Sequence, residues 1–232
     1  MQFRNIECQY GEFTIFQMHD HEESFIHILT DWNLYWENIV SNTIPNKGVA
    51  VQAGGHQGLY AVLLSKVFRQ VYTFEPDNNN FLCLTKNCFK HKAFNVYKYE
   101  CALGATSGST TFQITETTGQ HRINHDDVVN HLDEFQNPSS TFLVEKPIIT
   151  IDSLNLKACD LLFFDLEGYE PYALIGSLET IKKYRPVIFV ENYMRRDQHL
   201  NSILDMLINL YGYQYYTDIE IPNNRVLKYY EP

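Results

Sequence analysis

GVAVQAGGHQGLYAVLLSKVFRQVYTFEPD, from Gly48 to Asp77, decides the fold of this chain. Val49, Val51 and Ala53 open a short apolar strand. Gly54, Gly55 and Gly58 break it, and Leu59 to Phe68 places apolar residues at helical spacing. Val71, Tyr72 and Phe74 form a second strand that closes on Glu75. Strand, glycine turn, helix and strand in this order are the layout of a nucleotide-type cofactor site at the open end of a parallel sheet. Glycines let the main chain approach a ligand, and an acid about twenty residues on can accept hydrogen bonds from ribose hydroxyls. GGxxG is not the dinucleotide pattern GxGxxG, so the weight rests on the strands, the helix and Glu75 falling together.

Strands and helices keep alternating downstream. Asn79 to Lys90 reads as a helix, Asn95 to Tyr99 as the third strand, Leu161 to Asp165 and Pro186 to Glu191 as buried strands, and Pro171 to Lys183 and Asp197 to Leu210 as helices. Gly212 to Ile221 and Arg225 to Tyr230 read as an antiparallel pair around Pro222. This order predicts a doubly wound, mostly parallel seven-stranded α/β sheet with an antiparallel C-terminal pair. Residues 1–46 read as an N-terminal helical cap, because Phe25, Ile28, Leu29, Trp32, Tyr35, Trp36 and Ile39 recur at helical spacing. Such an aromatic stripe is usually core. Residues 47–232 then form one domain, with 104–147 an irregular insertion that could serve as a lid or substrate loop. Ile148 to Ile151 returns to strand, and Asp152 is placed to cap a turn.

With 18 Lys and Arg against 28 Asp and Glu, the net charge of −10 disfavours a broad nucleic-acid footprint. No apolar run spans a bilayer, and the first residues lack the apolar core of a signal peptide. The five cysteines, Cys8, Cys83, Cys88, Cys101 and Cys159, form no CxxC pair. Free thiols in a reducing compartment follow, so a cytoplasmic location is expected.

Two blocks, VQAGGHQGLYAVLLSKVFRQVYTFEPDNNNFLCLTKN from Val51 and ITIDSLNLKACDLLFFDLEGYEPYALIGSLETIKKYRPVIFVEN from Ile149, together with ECALG at Glu100 to Gly104, resemble the FkbM-type methyltransferases. These are class I S-adenosylmethionine enzymes. FEPD combined with D-x-EG-x-E is the specific part of the likeness. The resemblance implies S-adenosylmethionine as cofactor and a hydroxyl oxygen of a sugar, glycan or small metabolite as acceptor. It assigns Gln52, Ala53, Gly54, Gly55 and Gly58 to the methionine end, Glu75 to the ribose, Asn80 to the helix behind it, and Cys101 and Ala102 to the adenine wall. Cys101 reads as a pocket wall or a buried thiol rather than a nucleophile. Asp165 ends a buried strand, so it is assigned to the cofactor and, with Glu167, to catalysis.

The family usually has an acid at the position of Gln52, and Gln brings no charge. That departure supports a rival reading, a binder without turnover. The family's Asn is His56 here, which either contacts a ligand or caps the turn. Asp165 with Glu191 and Asn192 resembles the magnesium site of catechol-type O-methyltransferases. Those enzymes usually carry Asp in the pair and FkbM-type enzymes are not generally known to need a metal, so no metal ligand is assigned. His121, His125 and His131 lie in a polar loop, and Arg195 and Arg196 read as solvated charge. Methylation of nitrogen or of a protein is the enzymatic alternative. FFDLEG replaces the amide-plus-aromatic motif of nucleic-acid base methylation. An NAD-dependent oxidoreductase would need GxGxxG and further βα units.

Overall fold

The computed structural model describes residues 2–17, 29–30, 32, 36–115, 118–123, 142–191, 198–216 and 224–230. It opens with a hairpin, β1 (Gln2–Cys8) and β2 (Gly11–Gln17), followed by the short helix α1 (Glu37–Thr43). The unit quoted above becomes β3 (Val49–Ala53), α2 (Leu59–Ser65) and β4 (Gln70–Phe74). Next come α3 (Asn78–Lys90), β5 (Val96–Tyr99), β6 (Ala102–Leu103), β7 (Gly108–Ile114), β8 (Arg122–Ile123) and β9 (Phe142–Ile149). The chain then runs through β10 (Leu161–Phe164), α4 (Glu170–Ile175), α5 (Leu178–Tyr184), β11 (Val187–Glu191) and α6 (Gln198–Tyr211) to β12 (Tyr213–Tyr215) and β13 (Asn224–Tyr229).

Seven strands form the central sheet in the order β12-β13-β11-β10-β3-β4-β5. The four pairings among β11, β10, β3, β4 and β5 are parallel. β13 lies antiparallel to both β11 and β12. The sheet is therefore mixed, which corrects the expectation of a mostly parallel one. The cause is the return of the chain after α6, where a hairpin replaces a crossover helix.

Alternate residues of each strand face opposite layers. Ala50, Val71, Leu161, Phe163 and Phe189 pack under α2, α3 and the N-terminal segment. Val51, Phe74, Leu162, Phe164, Ile188 and Val190 pack under α4 and α6. Trp36 lies 4.9 Å from Phe163 and 5.0 Å from Phe189, centroid to centroid, so this part of the aromatic stripe is core. Phe25, Ile28 and Tyr35 lie outside the described residues.

The helical reading of residues 1–46 misses the hairpin. Phe13 and Ile15 alternate with Glu12 and Thr14, and Gly11 turns at φ +106°. Asn87 of α3 holds β2 in place: its amide oxygen accepts from the Thr14 N–H, and its amide nitrogen donates to the Thr14 and Gln57 carbonyls.

The expected helix over 171–183 is two helices. A Cβ on Gly176 would stand 2.0 Å from the Gly104 carbonyl oxygen, so the chain passes Gly104 as bare backbone and breaks there. Asp152 caps the second piece, accepting from the Glu179 and Thr180 N–H groups at 3.0 and 2.8 Å. A separate four-stranded sheet has the order β6-β9-β7-β8, and its strands β7 and β8 fall within the stretch 104–147 that reads as irregular. No helix among the described residues is long and apolar enough to cross a membrane.

Candidate active site

One cavity opens at the C-terminal ends of β3, β4 and β10, with a volume of about 810 Å³ including its mouth. Strand ends supply its floor because the parallel strands all stop at this edge. Gly54, Gly55, Glu75, Asn80, Cys101, Ala102, Asp165 and Glu167 all line it.

Gln52, Ala53 and Gly58 do not, and each has a structural task. Gln52 is fully buried on the α2–α3 face of β3. Its amide nitrogen donates to the Gly54 carbonyl at 2.7 Å, and its amide oxygen accepts from the Thr73 hydroxyl. It braces the glycine turn from behind. A neutral amide does this without burying charge. Ala53 is packed with Val51 and Phe74 in the layer opposite. Gly58 turns at φ +91° and brings the N-terminus of α2 onto α3, where a Cβ would stand 2.8 Å from Leu84 Cα.

Gly54 sets the geometry of the floor. It has φ +80°, and a Cβ there would lie 1.9 Å from the Asp165 carbonyl oxygen. Only glycine fits, so the turn after β3 lies directly on the end of β10.

Glu75 is buried at the end of β4, and its two oxygens accept from the Asp77 and His56 N–H groups at 2.8 and 2.7 Å. Burial is the larger influence and pushes its pKa up to about 8. Asp77, not Glu75, caps α3, accepting from the Asn79 and Asn80 N–H groups. His56 has φ +44° and is kept neutral, its pKa brought down to about 3 by burial and by the nearby His121.

A short turn, Thr118–Gln120, covers this end. The Thr118 hydroxyl lies 3.0 Å from His56 Nε2 and 3.4 Å from Gln57 Nε2, and the Asn80 amide donates to the Thr118 carbonyl at 3.1 Å. His121 Nδ1 accepts from the Thr115 N–H, and its ring meets Phe112 edge-on at 6.3 Å. Sequence reasoning missed Gln57, Thr118, Phe112, Arg122 and Tyr169. Gln57 carried a usable signal, since it stands inside the glycine turn. The others reach the cavity through pairing of β7 with β8 and through the turn into α4, which no local pattern specifies.

The far wall is acidic. Glu167 has φ +54° and is followed by Gly168 at φ +96°, and this left-handed turn presents the Glu167 carboxylate beside Asp165. Glu191, from β11, joins them: oxygens of Asp165, Glu167 and Glu191 lie within 4.8 Å of one another. Three half-buried carboxylates this close cannot all ionise. Burial, then the charges of Asp165 and its neighbours, hold both Glu167 and Glu191 well above the ordinary carboxylate range. The cluster can share protons, or its oxygens can converge on one hard cation. Asn192, the third member of the magnesium-like pattern, lies outside the described residues, as do His125, His131, Arg195 and Arg196.

Cys101 is buried in the cavity wall and its thiol is pushed up to about 11, so it stays protonated. All five cysteines are free thiols.

The sequence profile of the methyltransferase FkbM domain matches residues 52–215. No curated protein sequence matches the chain. Among solved structures, methyltransferase FkbM from Methylobacillus flagellatus KT is similar at 16% identity and a TM-score of 0.57, covering 81% of this chain and 46% of that one. The chain thus spans about half the length of that protein. An rRNA methylase from Streptococcus thermophilus is similar at 11% identity, 84% and 95% coverage and a TM-score of 0.47. TYW2 of M. jannaschii, solved with AdoMet, is similar at 11% identity, 97% and 83% coverage and a TM-score of 0.45. The likeness to the Methylobacillus protein speaks for the fold alone. The domain match spans most of the sequence, and the chain belongs to the FkbM methyltransferase domain family.

Proposed function

We propose that this chain transfers a methyl group from S-adenosylmethionine to a hydroxyl oxygen of a sugar, a glycan or a small metabolite. One observation carries the reading: a single cavity has a buried carboxylate, Glu75, at one end and the Asp165–Glu167 pair at the other, with the Gly54–Gly55 turn between them.

The donor set fits the cofactor. Glu75 keeps lone pairs free on both oxygens after accepting from two N–H groups, which suits a vicinal diol. Cys101, Ala102 and Leu103 offer a flat apolar wall for a purine. When bound, S-adenosylmethionine supplies a methyl carbon already activated by a sulfonium. The protein then has to orient an acceptor oxygen and take its proton. Asp165 is the leading base. Burial and neighbouring charge favour the protonated forms of Glu191 and Glu167, which makes Asp165 the carboxylate left to act as base on this reading. The acceptor hydroxyl gives its proton to the Asp165 carboxylate as its oxygen becomes an ether. Phe112, Ile123 and Tyr169, packed with Ala102, line the cavity and limit water. Residues 47–232 act as the catalytic domain on this reading, with 1–46 as a cap and 104–147 as an insertion over the site.

The test is formation of S-adenosylhomocysteine over a panel of neutral and acidic sugars and phenols. Asp165→Asn is expected to lower turnover by about 10²–10⁴-fold, the usual share of a positioned base. The variant should stay folded, since Asn has nearly the same shape and removes a half-buried charge. Undiminished turnover would remove Asp165 from catalysis.

A further inference from the structure

The corner where α3 meets β5, at the opposite end of α3 from the cavity, carries two bare aromatic rings. Phe89 is 76% exposed and Phe94 is 74% exposed, and their centroids lie 6.4 Å apart at 68°. Leu82, Tyr97 and Phe3 are also large and more than two-fifths exposed. Isolated exposed apolar residues are ordinary, but a side-by-side pair this exposed is not.

The exposure is built in. The His91 and Ala93 N–H groups donate to the Asn87 and Cys88 carbonyls, and the Asn95 amide donates to the Ser65 and Phe68 carbonyls. Ala93 and Val96 are buried on either side of Phe94. The loop is pinned at every inward-facing residue, so Phe94 cannot fold back onto the core.

Charge tells what covers the corner. Residues 78–99 hold Lys86, Lys90, Lys92 and Lys98 and no acid, in a chain whose net charge is −10. Lys86, Lys90 and Lys92 are exposed around the phenylalanines. Lys86 lies over the Phe3 ring at 4.8 Å. Glu12 pairs with Lys90 at 2.6 Å, and Glu7 lies opposite Glu12 in the hairpin, which leaves Lys86 and Lys92 as the more available charges. Hydrocarbon rings ringed by lysines suit a bilayer with anionic headgroups, where rings enter the acyl boundary and lysine stems extend to the phosphates. Nucleic acid is the poorer match. Rings set at 68° offer bases no shared stacking face.

We infer that the Phe89–Phe94 corner with Lys86, Lys90 and Lys92 is a peripheral docking face for a membrane surface carrying anionic lipid. Asn80, at the cavity, is ten residues from Lys90 along α3, about 15 Å at the helical rise. Docking therefore leaves the cavity free.

Co-sedimentation with phosphatidylcholine vesicles, with and without about one-third phosphatidylglycerol, tests this. The full chain should pellet with the anionic vesicles, less so in high salt, and stay in solution with the neutral ones. Phe89→Ser/Phe94→Ser should weaken binding by about tenfold or more. Lys86→Gln/Lys92→Gln should weaken it by several-fold, in line with the surface contribution of each basic residue. Both variants keep cavity residues intact, so unchanged binding of S-adenosylhomocysteine serves as the folding control. Failure of the wild type to pellet, or undiminished pelleting of the Phe variant, would overturn the inference. So would a dimer in light scattering, or retention of single-stranded RNA, that the Phe pair controls in the absence of vesicle binding.

Discussion

Glu75 should make nucleoside binding depend on pH. Its carboxyl has a pKa of about 8 in the free protein because it is buried, against an ordinary value of 4.5. Ribose hydroxyls donate to the ionised form, so ligand binding pulls that pKa down and releases a proton. At pH 7 about one site in eleven is ionised, and each pH unit below 8 costs about 1.4 kcal/mol of binding. 5′-Methylthioadenosine is the cleanest probe, because it keeps the ribose and lacks the titrating amino acid. Its affinity should rise about tenfold per pH unit up to pH 8 and flatten above, about 90-fold in all from pH 6 to pH 9. His56, held near 3, stays silent in this window. Calorimetry at pH 7 in buffers of different ionisation enthalpy should show about 0.9 proton released per site. Glu75→Gln should abolish the slope and weaken binding at pH 9 by about 10–100-fold, the value of one or two hydrogen bonds to charge. A flat wild-type profile, or a slope that persists in Glu75→Gln, would refute the ribose assignment.

Three further outcomes are expected. Gly54→Ala places a Cβ 1.9 Å from the Asp165 carbonyl oxygen at φ +80°, and should cost about 4 kcal/mol or more, read as a lost or sharply lowered urea midpoint. Glu191 has a raised pKa in the fold, so its cost to stability is absent below about pH 4.5 and grows as pH rises toward the folded value. Glu191→Gln keeps a donor for Asp165 and removes the titration, so its unfolding free energy should fall less steeply than the wild type's between pH 5 and pH 9. Thr118→Val removes the hydroxyl contacts to His56 and Gln57 but keeps the main-chain bond from Asn80, and should loosen the covering turn by about 1 kcal/mol. The readout is faster amide exchange at 118–123 and a several-fold higher off-rate for S-adenosylhomocysteine.

The parts of the fold that were legible in the sequence are those whose signal is local. The β3 apolar run, the glycine break, the α2 pattern and Glu75 at the end of β4 each follow from neighbours in the chain, and they fall where expected. Asp165 was legible for the same reason, as the acid that ends an apolar strand. Gln52 was not. Strand alternation turns it toward α2 and α3, away from the ligand edge, where Thr73 and Gly54 satisfy its amide. Its lack of charge therefore bears on the brace behind the turn, and the case for a binder without turnover loses that support. The hairpin of Gln2–Gln17 was hidden because the helical spacing of later aromatics was carried back over it. The break at Gly176 within 171–183 is set by the Gly104 carbonyl, which occupies the space of a Cβ there and is remote in sequence. The convergence of Glu191 on Asp165 and Glu167, and the placement of Thr118 over His56, depend on how strands pair in space. Neither leaves a mark in local sequence.

A crystal structure with S-adenosylhomocysteine tests the central claim most directly. The account predicts the ribose hydroxyls on the Glu75 carboxylate, the purine against Cys101 and Ala102, and the sulfur's open side facing Asp165. A nucleoside seated elsewhere, or a sulfur turned away from Asp165 and Glu167, would contradict it.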